Sequence, residues 1–138
     1  MAYISQVQSE ITIEDKVFQA LAVVTIGVGL VVHLGGGLVA PRARDVLGDA
    51  LWAAMMVWWI SAIWPGSRLI ARSGAAYAVC VCVELSQLYH TAALDAARAT
   101  RVGHLVLGSG FDPRDFLSYG LGVAGAVVVE HAARSFIE

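Results

Sequence analysis

Residues 17–41 contain no Asp, Glu, Lys or Arg. A transmembrane helix needs roughly 20 apolar residues, and a soluble helix of this length would show a charged face. Here the only interruptions are His33 and small polar groups. The second apolar run, Val46 to Trp64, carries Asp49 alone near its start. The third, about Gly74 to His90, holds Glu84 and Gln87, and the fourth runs from Phe116 to Val129 before Glu130. A chain that is 58% hydrophobic and 14% charged fits this reading, since ordinary soluble domains hold about 25% charged residues. A net charge of -2 argues against a nucleic-acid partner, which requires a basic surface.

The expected fold is all-α: a polytopic four-transmembrane-helix bundle forming a single domain over 1–138, with helices at about 13–40, 46–64, 68–90 and 113–136. A structured loop over 91–112 joins the third and fourth. Thr12 and Asp15 read as a capping box. The Gly35–Gly37 run and Ala40-Pro41 end the first helix. Pro65-Gly66-Ser67 ends the second, with Ser67 capping the third, and Asp112-Pro113 starts the fourth. The first span is read as retained rather than as a signal peptide, because its flank is acidic and its length exceeds a signal h-region. Residues 1–12 are read as a frayed end or an interfacial turn. Basic residues divide almost evenly between the two faces, four against five, so charge bias barely separates the orientations. The orientation adopted puts both termini in the cytoplasm.

Intramembrane charges are costly, and each calls for a reason. Glu84, Gln87 and His90 fall at steps of three and line one polar wall of the third helix. Asp49 sits near the start of the second helix. Antiparallel packing then brings it to the same membrane face as His90, Asp95, Arg98, Arg101, Arg114 and Asp115. Asp95, Arg98 and Arg101 form an acid–base stripe on a short helix. Two readings of this set stay open: a ligand or catalytic site, and ion pairs that stitch the loop to the bundle. His33 is expected to be a packed residue. Cys80 and Cys82 point in different directions and form neither a disulfide nor a zinc site. Gly108-x-Gly110 is not a nucleotide loop. Gly27 and Gly29, and Ser118, Gly122 and Ala126, are read as close-packing faces. No spacing identifies a metal site or cofactor.

The segments GDALWAAMMVWW (48–59), VELSQLYHTAALDAARATRVGHLVLGSGF (83–111) and DFLSYGLGV (115–123) resemble a domain-of-unknown-function family of small bacterial membrane proteins related to VanZ-like proteins. The likeness covers roughly 16–130 and is most specific across 83–123. It matches an acid and Gln on one helix (Glu84, Gln87), an Arg-bearing loop (Arg98, Arg101), and an Asp followed by spaced glycine on the next helix (Asp115, Gly122). It implies a polytopic protein of the bacterial inner membrane. VanZ-like members are linked with reduced teicoplanin sensitivity, a role not carried over here because the loop differs.

Three functions remain in view. In the first, a non-enzymatic module binds an anionic amphipathic envelope molecule or lipid, with Arg98, Arg101 and Arg114 holding its head group in forked contacts and Asp49, Glu84, Gln87 and His90 shaping the pocket. In the second, the chain is a small structural or assembly subunit, with other membrane subunits or a homo-oligomer as partner. In the third, it is an enzyme acting on a lipid-linked substrate, with His90 or Glu84 as general base. The enzyme reading has no specific motif behind it.

Overall fold

A computed structural model describes residues 2–35, 40–108 and 110–135. Among them, all regular structure is helical. The helices are α1 (Ala2–Leu34), α2 (Pro41–Ile63), α3 (Leu69–Ser86), α4 (Ala92–Arg98), α5 (Arg101–Leu107) and α6 (Asp115–Ser135). Three of them contain segments long and apolar enough to cross a membrane: Lys16–Leu34, Pro41–Ile63 and Leu69–Ser86. In α6 the uncharged stretch Phe116–Val129 is bounded by Asp115 and by Glu130 and His131, short of the roughly 20 residues a span needs. The described helices therefore give three candidate spans, and a fourth is not established.

The helix ends differ from the sequence reading for local reasons. Helix α1 runs through Thr12–Asp15 from Ala2, so the capping-box reading does not mark its start, and residues 2–12 are helical. The first fifteen side chains lie outside the described set. Helix α1 stops at Leu34 rather than 40, with the Gly35 N–H closing the last turn onto Val31 O at 2.8 Å. The glycine run beyond it disfavours helix. Helix α2 begins at Pro41 rather than 46, with Pro in the first turn, where the missing N–H has no partner to lose. Ser67 does not cap α3: its hydroxyl donates to Trp64 O at 2.8 Å, and the N-cap is Arg68.

Helix α3 stops at Ser86, not 90. The Arg98 guanidinium donates to Ser86 O at 2.7 Å, the last helical carbonyl, which also accepts from the Tyr89 N–H, and to Tyr89 O at 2.8 Å in the turn beyond it. Thr91 then caps α4 by accepting from Leu94 N, and Thr100 caps α5 by accepting from Gly103 N. The 91–112 connection is thus structured, as two helices broken between Arg98 and Arg101. Helix α6 starts two residues later than expected. Asp112 accepts from Arg114 N at 2.9 Å and forms the turn ahead of it.

Helix α2 packs against α1, α3 and α6, and α3 packs against α6. Small residues let these helices approach closely: Ala53, Ala76 and Ala126 are all buried. At Gly122 a Cβ would collide with the Ala50 backbone, so α2 and α6 touch main chain to main chain there. Ser118 and Ala126 on the same stripe are buried, in keeping with the close-packing reading. That reading fails at Gly27, where a Cβ would meet nothing within 4 Å. Cys80 is buried and Cys82 exposed, both as free thiols.

At the end of the bundle holding the start of α3, Phe18 stacks on Trp58 with centroids 6.4 Å apart, and the Arg72 guanidinium lies 5.4 Å from the Phe18 ring. Arg72 also donates to Glu130 Oε1 at 2.6 Å, with both residues buried. This pair links α3 to α6. The sequence reading counted Arg72 only as a topology charge. Buried charges survive in a low-dielectric setting when paired in this way.

Candidate functional site

The other end of the bundle is built around Glu84, which is fully buried on α3. Its Oε2 accepts from Tyr119 Oη at 2.9 Å and from Gln87 Nε2 at 3.3 Å. Its Oε1 accepts from the Asp112 N–H at 2.7 Å. One carboxyl group thereby ties α3, α6 and the segment leading into α6. No arginine is among these partners, and all three donors are neutral. Tyr77 Oη adds a second α3–α6 tie by donating to Phe116 O at 3.3 Å.

Beside this knot lies a cavity of about 700 Å³. Its apolar wall comes from α1 and α2: Ile26, Leu30, Leu51, Trp52 and Met55. Its polar end comes from Arg44, Asp45 and Asp49 on α2, Gln87 after α3, His104 on α5, and Asp112, Asp115 and Tyr119. The Asp49 and Asp115 carboxyl groups adjoin each other across the α2–α6 contact. His33 also lines the cavity, at the end of α1, rather than being packed away.

Of the nine residues singled out from the sequence, Asp49, Gln87 and Asp115 meet in this cavity, with Glu84 directly behind Gln87. The remaining five are placed elsewhere. The single wall of Glu84, Gln87 and His90 does not form, because α3 ends at Ser86 and His90 leaves the helix axis. His90 is 71% exposed and faces Asp95, Nδ1 to Oδ1 at 3.2 Å. Arg98 is buried, its guanidinium engaged by Ser86 O, Tyr89 O and, at 3.4 Å, Asp95 Oδ1. It acts as a cap for α3, with its Nη groups turned to those partners. Arg101 and Arg114 are exposed and do not line the cavity.

Tyr119, Arg44, Asp45, Trp52, His104 and Asp112 also line the site, with His33, and were absent from the sequence-derived set. Asp45 lies four residues before Asp49 and shares its helix face. Starting the second helix at Pro41 would have revealed it. Tyr119 stands four residues after Asp115 for the same reason. Asp112 has no such signal, because its place depends on the backbone bond to Glu84. Among the described residues, no three His, Cys, Asp or Glu side chains converge to hold a metal ion.

At Gly108 two demands coincide. Its φ is +66, and a Cβ there would run into the Gln87 amide. Gly108 caps the C-terminus of α5 while pressing its backbone on the site.

No solved structure matches the chain. The family described as "Protein of unknown function (DUF2809)" matches residues 40–123, which take in α2 to α5, the first part of α6 and most of the cavity. That match covers well over half of the 138 residues, and the chain belongs to this family of unknown function.

Proposed function

We propose that the protein is a non-enzymatic membrane module that holds an amphipathic molecule in the cavity at one membrane face. The observation that carries this is the two-part lining of the cavity: an aliphatic and aromatic wall from α1 and α2, and a polar end built on Asp49, Gln87 and Asp115. Ligand sites are commonly apolar clefts with a few convergent polar groups. Helix α6 serves as the fourth span in this reading, its Glu130 charge compensated by buried Arg72. Arg101 and Arg114, exposed at the cavity end, meet the phosphates of surrounding lipid, while Val102 of α5 rests in the interface. Placement in a bacterial inner membrane and kinship with VanZ-like proteins belong to the same reading, supported by the resemblance of residues 83–123.

An anionic head group inside the cavity draws no support from the three arginines proposed for it, since Arg98 is engaged by backbone carbonyls and Arg101 and Arg114 stand outside the lining, which leaves Arg44 alone against four aspartates there. The enzyme reading is weakened in the same way: neither His90 nor Glu84 lines the cavity. The assembly-subunit reading has no separate observation in its favour, since a bilayer by itself covers the apolar surface of α1.

Native mass spectrometry of the protein extracted with its own lipids tests the proposal. Gly48 lines the cavity and has no atom within 4 Å of a Cβ built there, so Gly48→Phe fills the space. A defined mass bound to the wild type and absent from Gly48→Phe supports the reading. A bare protein, or a bound mass indifferent to this change, overturns it.

A further inference from the structure

The polar end of the cavity is unbalanced in charge. Asp45, Asp49, Asp112 and Asp115 line it against the single guanidinium of Arg44. The Asp49 and Asp115 carboxyl groups adjoin across the α2–α6 contact, and two adjoining carboxyl groups in an apolar setting share a proton because both cannot ionise there. An independent sign of a missing partner comes from Gln87. It lines the cavity, is 6% exposed, and its Oε1 has no partner among the described residues. A buried carbonyl oxygen in that state calls for a hydrogen-bond donor.

We propose that the cavity takes a primary alkylammonium, whose nitrogen replaces the proton shared by Asp49 and Asp115 and donates to Gln87 Oε1 while its chain lies along Leu30, Leu51 and Met55. This rests on the cavity reading above and adds the ligand's charge and the proton count. The exchange balances: one ammonium enters, one carboxyl O–H breaks, and its proton leaves to solvent. No other bond changes, and the net charge of the filled site is the same. Trp52 also lines the cavity, and an indole ring attracts a cation nearby.

The groups facing the pair set the background. Helix α1 supplies His33, α2 supplies Arg44 and Asp45, and α5 supplies His104. Asp112 precedes α6 and Tyr119 lies on it, while Cys80 and Glu84 approach from α3. Glu84 is already engaged by Tyr119, Gln87 and the Asp112 N–H. Arg44 opposes a cation but is outnumbered by the acids around it. The two imidazoles are the other proton donors to control for.

The test is calorimetry on the full chain in lipid nanodiscs, titrated with decylammonium, and with decanesulfonate and decanol as chain-matched probes. Buffers of different ionisation enthalpy count the protons. Expected are saturable binding of decylammonium above empty nanodiscs and release of one proton per molecule bound. The release persists in the His33→Gln/His104→Gln protein. In Asp49→Asn, which retains a donor toward Asp115 but no exchangeable proton, release disappears and binding weakens by about tenfold or more. Equal binding of decanesulfonate or decanol overturns the cation while leaving the cavity reading intact. Binding without proton release overturns the exchange. No saturable binding of any probe overturns the inference, and the bound-mass experiment then decides the cavity reading separately. Should Asp49→Asn fail to fold, Asp115→Asn and the wild-type proton count remain. Repeating the titration in ethanolamine-headed in place of choline-headed phospholipid separates the sources. Competition assigns the site to an amine-bearing lipid head group, and undiminished binding assigns it to a free amine.

Discussion

Glu84 sits fully buried and accepts three hydrogen bonds from three parts of the chain. Removing it strands the Tyr119 hydroxyl, the Gln87 amide and the Asp112 N–H at once. Each unsatisfied buried donor costs about 1–3 kcal/mol. Glu84→Ala is therefore expected to lower the unfolding midpoint sharply in detergent, and Glu84→Gln, which keeps one acceptor oxygen, to lower it less. Equal midpoints for the two variants would refute the anchoring role. Gly108 makes a comparable demand through its backbone. Its positive φ and its contact with the Gln87 amide both exclude a side chain. Gly108→Ala is expected to destabilise by about 1–3 kcal/mol and to disturb Gln87 before any other site residue. Loss of ligand binding together with a lower midpoint is the signature to look for.

Among the elements, α2 is the one that the other long helices share. Its contact with α6 is the closest in side-chain terms, because at Gly122 nothing separates the helix from the Ala50 backbone. Gly122→Ala must push α2 and α6 apart and disturb the Asp49–Asp115 contact, with an expected loss of about 1–3 kcal/mol. Gly125, on the same helix, has nothing within 4 Å of a Cβ built there. Gly125→Ala is expected to be neutral or to stabilise by up to about 1 kcal/mol, the difference in helix propensity. Unfolding curves should therefore shift down for Gly122→Ala and stay in place or shift up for Gly125→Ala. A shift of the same sign and size in both would show that the close approach has no energetic weight.

On the scale of the whole molecule, the buried Arg72–Glu130 pair and the cavity stand at opposite ends of the bundle. In a membrane they belong to opposite faces. Single cysteines at Arg68 and Arg114, in a Cys80→Ala/Cys82→Ala background, are expected to react with a membrane-impermeant maleimide from opposite sides of sealed vesicles. Labelling from one side only would mean that the helices between these positions do not cross the bilayer as assigned.

Much of this organisation is written in local composition. The charge-free run after Lys16, the alternation of apolar runs with Pro and Gly breaks, and the small-residue stripe Ser118–Gly122–Ala126 act within one helix or one crossing. Sequence alone was enough to find helices long and apolar enough to cross a membrane and a close-packing stripe on α6, while the structure showed that this stripe meets α2. The sequence also picked out Asp49, Glu84, Gln87 and Asp115, because carboxyl and amide groups are costly in an apolar run wherever the chain goes. The tertiary structure decided how each polar group is used, since a side chain's role depends on partners distant in sequence. Arg98 looked like a ligand-binding guanidinium until the carbonyls of Ser86 and Tyr89 claimed it. His90 left the polar wall because that same cap ends α3 early. Arg72 found its counter-charge 58 residues away. Such pairings follow from which helix ends and faces come together in the packed bundle, and helix spacing carries no record of that.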